Sequence, residues 1–212
     1  MGIALFHKTF FKTSLWLVLV VLPNKAISNT SKVEHLSLDS AYKKALSFYP
    51  ELSIVKIEVK YGRIRTSMAA LPRVSSLLFQ KKNKRSYTII VNKKENKDPG
   101  RVVHSAPFDA QVGIFGHELA HILDYSEKSN CKMVGFAISY LGKEKRRITE
   151  QLTDSLTIVH GLGRELYHFS NYLFNEANIH PKYRKYKTKY YMHPQVLFLM
   201  VKRIEEQMNV SY

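Results

Sequence analysis

The residues with the clearest capacity for chemistry are His117, Glu118 and His121, in the run Gly116-His117-Glu118-Leu119-Ala120-His121. Positions four apart on a helix lie one turn apart on the same face, so both imidazoles can reach one cation. Zinc takes imidazole nitrogen at about 2.0–2.1 Å and, in catalytic sites, leaves one of four positions to water. Glu118 directly follows the first histidine and can lean toward that water as a general base. The metal would lower the water's pKa and polarise a carbonyl, so the pattern points to metal-assisted hydrolysis.

Such a centre needs a third protein ligand. The long signature with a third histidine soon after a glycine is absent, since His121 is followed by Ile122-Leu123-Asp124-Tyr125-Ser126-Glu127, and this argues against the metzincin type. A better candidate is Glu150, in Thr149-Glu150-Gln151-Leu152-Thr153-Asp154. Glu150 and Asp154 are again one helical turn apart. One carboxylate can bind the ion while the other accepts a hydrogen bond from the distal nitrogen of a liganding histidine, an arrangement that metal-bound imidazoles usually need.

A His-Glu-x-x-His helix, a spacer over residues 122–149 and then Glu in a Glu-x-x-x-Asp helix resemble the gluzincin metallopeptidases. The pattern is most similar to the minigluzincins, small soluble relatives of the catalytic domains of CaaX-prenyl-type membrane peptidases. The resemblance spans roughly residues 38–175. It implies that His117, His121 and Glu150 bind one Zn2+, that Glu118 is the general base and acid, and that Asp154 stands behind a ligand histidine. It also implies a small sheet above the motif helix whose edge strand takes extended peptide; Ser86 to Asn92 is the expected edge. An oxyanion-stabilising residue is not matched by motif, and His160, His193, Tyr190 and Tyr191 are candidates. Relatives of this size can be held latent by their own termini.

The elements that must position these residues follow from hydrophobic period. Leu38 to Tyr49 carries Ala41, Ala45, Leu46 and Tyr49 at helical spacing, and Pro50 limits it. Val55, Ile57, Val59 and Tyr61 alternate with Lys56, Glu58 and Lys60, predicting a half-buried strand. Ile64 to Ala70 reads as a returning second strand, with a helix as the alternative for Met68-Ala69-Ala70, and Tyr87, Ile89 and Val91 mark a third strand over Ser86 to Asn92. The charged residues 93–106, with Pro99-Gly100, read as a surface loop. From Pro107 the period changes, and Phe108 to Tyr125 predicts an amphipathic helix carrying the motif. Further helices are expected over Lys132 to Leu141, Lys143 to His160, Arg164 to Asn175 and Pro194 to Met208. Gly161 and Gly163 separate two of them, and residues 180–193 take no assignment. Strands early and helices late predict an α+β fold: a small N-terminal, mostly antiparallel sheet over the motif helix, then a helical C-terminal part.

The 212 residues suit one domain, and 45% hydrophobic content argues against wholesale disorder. Lys8 and Lys12 precede an apolar run from Leu15 to Leu22, then Pro23, Ala26 and Ser28, the pattern of a secretory signal peptide. Cleavage after Ser28 would leave residues 29–212 as a single zincin-like domain, secreted or periplasmic. The run falls short of the about 20 apolar residues that a membrane span needs. The single cysteine, Cys131, gives no disulfide framework and is expected to be a buried small residue. A formal charge of +16 can draw the chain weakly to anionic envelope surfaces. The basic, tyrosine-rich stretch from His180 to Tyr191 can stack bases, but a secretory signal argues against nucleic acid as a partner. The expected partner is a peptide or protein substrate. The competing reading is a non-catalytic zincin-fold binding protein of the cell envelope.

Overall fold

A computed structural model describes residues 32–94 and 97–210; the proposed signal segment, 1–28, lies outside the described residues. Helix α1 (Lys32–Leu46) leads through a tight turn at Pro50–Leu52 into strand β1 (Ile57–Gly62). Strand β2 (Met68–Pro72), a short helix α2 (Val74–Phe79) and strand β3 (Tyr87–Asn92) complete the sheet region. Helix α3 (Gly100–His104) precedes the long helix α4 (Phe108–Glu127), which carries the motif. Then come α5 (Asn130–Ser139), α6 (Lys143–Thr157), α7 (Gly163–Asn171), α8 (Pro181–Tyr190) and α9 (Pro194–Val210). The α+β reading holds, with a three-stranded sheet first and helices after it. Among the described residues no helix is long and apolar enough to cross a membrane.

The sheet order is β1-β3-β2, with β1 parallel and β2 antiparallel to β3. The sheet is therefore mixed, with one pairing of each kind. Strand β3 is its central strand, not the expected edge: Ile89 pairs with Val59 on one side and Ala70 on the other. Its composition explains the position, because Tyr87, Ile89, Ile90 and Val91 are all buried, as a strand covered on both faces requires. The outer strand that reaches the motif helix is β2, which packs against α4.

Helix α4 is buried without interruption from Ala110 to Ile122. An amphipathic helix was expected; a central helix, buried nearly all round with His117, Glu118 and His121 inside, is found. Four neighbours enclose it: α1, β2, α6 and α7. Helix α7 comes so close that a Cβ on Gly113 would lie 2.1 Å from the Glu165 carbonyl oxygen. Tyr49 donates its hydroxyl to the Gly116 carbonyl at 2.8 Å, pinning α4 one residue before His117. Gly161, at φ 84°, breaks the chain between α6 and α7 in the left-handed region that only glycine takes freely.

Two local expectations give way, and one unassigned stretch takes a structure. Residues 93–106 contain α3, whose Val102 and Val103 are fully buried; apolar anchors inside a charged stretch make a packed turn of helix there. Residues 180–193 contain α8, started by Pro181 at its first turn with His180 accepting from the Lys182 amide. Cys131 is exposed, because α5 turns Met133 inward and leaves its second residue on the outer side.

These contacts predict opposite outcomes for two glycines. Gly113→Ala should cost about 1–3 kcal/mol, since the obstacle is backbone. Gly135→Ala, on α5 with nothing within 4 Å of the place its methyl group would take, should be neutral or stabilise by up to about 1 kcal/mol. Thermal or denaturant unfolding of the two variants beside the wild type checks both signs.

Candidate metal centre

The helical spacing of His117 and His121 turns both rings to one side of α4, where α6 lies against it. The rings stand 4.8 Å apart between centroids at 87°. Helix α6 meets them with an unusual face. Thr149, Glu150, Thr153, Asp154 and Thr157, spaced three and four apart, are its buried residues. Leu152, by contrast, is 64% exposed. The helix has turned its polar side inward.

Two hydrogen bonds fix the rings. His117 Nδ1 faces Asp154 Oδ1 at 2.8 Å, and His121 Nδ1 faces Thr153 Oγ1 at 3.2 Å. The Thr153 hydroxyl donates to the Thr149 carbonyl at 2.9 Å, so its oxygen is left to accept from the imidazole. With each Nδ1 so engaged, both Nε2 atoms point at the same place. Glu150 Oε2 sits there, 3.1 Å from His117 Nε2 and 3.5 Å from His121 Nε2. Its other oxygen, Oε1, accepts from the Tyr140 hydroxyl.

The ligand atoms of His117, His121 and Glu150 all lie within 4.8 Å of one another, and the three residues are buried. A tetrahedral ion with bonds of about 2.0–2.1 Å separates neighbouring ligand atoms by about 3.3–3.4 Å. The two measured Nε2–Oε2 distances bracket that value. Two neutral imidazoles and one carboxylate leave a fourth position open, so the group could hold a metal ion.

Charge is balanced tightly around it. Burial alone would push the His117 imidazole down, but hydrogen bonds to Asp154 and Glu150, and their charges, raise its pKa to about 10. Burial likewise opposes the charge on Glu150, and the two histidines outweigh it, holding its carboxyl well below the usual range. Burial and the Glu150 charge push Tyr140 and Tyr125 up, keeping both phenols protonated.

Beside the centre is a narrow cavity of about 30 Å³ bordered by His117, Glu118, Met68, Lys187, Tyr191 and Met192. That space admits a water or two and excludes a peptide. Its cover is α8 and the residues after it. The Met192 amide donates to Asp154 Oδ2 at 3.1 Å, the Tyr191 ring lies 5.6 Å from the His117 ring, and Tyr183 shares a 2.7 Å hydrogen bond with Ser67 beside β2. Lys187 is buried, with its ammonium 3.6 Å from the Tyr191 ring centre. Burial disfavours that charge, but Tyr183, Glu150, Tyr186 and Glu118 reverse the effect and raise its pKa.

The structure thus brings His117, Glu118, His121, Glu150 and Asp154 together. Of the four oxyanion candidates, only Tyr191 borders the cavity. His160 stacks on Tyr49 and faces Glu51, His193 packs on Phe174, and Tyr190 lies under the Arg146 guanidinium. Sequence reasoning missed Tyr140, Thr153 and Lys187. The three threonines spaced with Glu150 on α6 were a readable signal for Thr153; nothing marks Lys187 among its basic neighbours. No family model, curated protein or solved structure matches this chain.

Metal analysis after dialysis should give one ion per wild-type chain, none in His117→Ala or His121→Ala, and retention weakened about 10–100-fold in Asp154→Ala. An ion must displace the His117 proton, so affinity should fall as pH is lowered. Calorimetry in buffers of differing ionisation enthalpy should register about one proton released per ion at neutral pH. Uptake independent of pH would contradict this.

Proposed function

We propose that the chain is a zinc-dependent peptidase of gluzincin type, in which His117, His121 and Glu150 hold the ion and Glu118 is the general base. The observation that carries this reading is the inverted face of α6. Glu150 and Asp154 are each 2% exposed while Leu152, on the same helix, faces water. Burying a carboxylate costs several kcal/mol, and apolar residues of similar size would stabilise the fold at least as well. The arrangement makes sense as a ligand set and poorly as a core.

Zinc bound there supplies a Lewis acid that acidifies a water and polarises a carbonyl. The residues do the rest. Glu118 takes a proton from the attacking water and passes it to the departing amine. Asp154 and Thr153 keep the two imidazoles oriented, and Tyr140 keeps the Glu150 carboxylate from turning. The outer edge of β2, with Met68 at the cavity, offers backbone groups to an extended peptide. The signal-like pattern of residues 1–28 supports action outside the cytoplasm.

A specific observation favours a second reading, a binding protein without turnover: α8 covers the centre and leaves no room for substrate. On the peptidase reading this is a closed state that α8 must leave. The two are separable. Metal-loaded wild type and Lys187→Glu, which sets a like charge near Glu150 and Glu118, are assayed on a mixed peptide library beside Lys187→Glu/Glu118→Ala. The peptidase reading expects cleavage to rise at least about tenfold in Lys187→Glu. It expects cleavage to vanish in the double variant with the metal retained. Equal inactivity of all three, each metal-loaded and with Lys187→Glu shown by protease sensitivity to have released α8, would favour the binding protein.

A further inference from the structure

Away from the metal centre, residues 73–86 form a small finger-like excursion between β2 and β3, with an outer side whose composition folding does not explain. Helix α2 and the turn after it turn Leu77 toward the core but leave Val74 59%, Leu78 63% and Phe79 85% exposed. Directly after them come Lys81, Lys82 and Lys84, all exposed. Apolar tips in water bring the fold nothing.

The finger is nevertheless held firmly at its base. The Arg73 amide donates to the Ser86 carbonyl at 2.9 Å, and the Ser86 amide donates to Ser76 Oγ at 3.1 Å, closing the two ends. Arg85 is buried and donates to the Tyr125 and Lys128 carbonyls, each at 3.0 Å, and to the Asn130 side chain. Asn130 in turn donates to the Gln80 carbonyl at 2.8 Å. The tip is therefore presented in a fixed shape, and little ordering entropy is left to lose on contact.

We propose that this finger is a docking surface for an anionic lipid membrane, with Leu78 and Phe79 entering the headgroup boundary and Lys81 and Lys84 facing phosphates, while Lys82 is paired with Glu127 at 3.9 Å. An apolar tip followed at once by cations is the composition of an interfacial anchor. The charge complementarity is with the whole chain as well, at +16. Single-stranded nucleic acid is a weaker fit: it would use the Phe79 ring for stacking, but two aliphatic neighbours at the tip serve hydrocarbon and not bases.

The test is flotation of the full chain with vesicles of phosphatidylcholine alone or mixed with phosphatidylglycerol, at low and high salt. The proposal expects binding to the mixed vesicles only, weakened by salt. Leu78→Ser/Phe79→Ser should lower it at least about tenfold. Lys81→Glu/Lys84→Glu should abolish the preference for anionic lipid. Both variants should keep wild-type melting and metal content, since neither touches the core or the centre. Absence of vesicle binding overturns the proposal. So does wild-type binding by the two variants, which would move the contact to another part of the chain. Equal binding to a single-stranded oligonucleotide, lost in the same variants, would assign the finger to nucleic acid and overturn it too.

Discussion

The structure is organised around one electrostatic requirement: two carboxylates, Glu150 and Asp154, are placed inside the protein against two imidazoles. Each buried charge carries a penalty of several kcal/mol that only close partners can offset. Every oxygen of the pair has such a partner. Glu150 faces His117 and His121 with one oxygen and Tyr140 with the other; Asp154 faces His117 with one and the Met192 amide with the other. Removing any of these leaves a buried acid short of a donor, so helices α4, α6 and α8 are held in mutual register by the same few atoms. Gly113, where α7 meets α4 backbone to backbone, and Tyr49, bonded to Gly116, fix the motif helix from its other sides.

The same acidity explains why α8 lies where it does. A helix carrying four lysines and an arginine would ordinarily stay in solvent. Lys187 instead enters the protein, because Glu150 and Glu118 and the ring of Tyr191 supply the compensation that water would otherwise give. The cover over the cavity and the charge of the centre are thus one feature. A cation bound there would weaken the attraction for Lys187.

The sequence made the centre legible because its chemistry is written in short spacings. His117 and His121 on one helical face, and Glu150 and Asp154 on another, were enough to name residues that lie together across the two helices. The α+β order and each strand were readable within a few residues from alternation in β1 and β3. What was not legible depended on neighbours far away in the chain. Strand β3 resembles an edge or a centre equally well until β1 and β2 are seen on both of its sides. Helix α4 carries an apolar stripe, but only the packing of α1, β2, α6 and α7 shows it buried all round. Lys187 is one lysine in a basic run, and its burial follows from acids contributed by α4 and α6.

The central claim is that His117, His121 and Glu150 together hold one metal ion. X-ray absorption at the zinc edge of loaded wild-type protein tests it most directly. The account predicts a four-coordinate ion with nitrogen and oxygen neighbours at about 2.0–2.1 Å and outer-sphere scattering from two imidazoles, one of which disappears in His121→Ala reloaded with excess zinc. A spectrum without imidazole scattering, or one unchanged by that substitution, would contradict it.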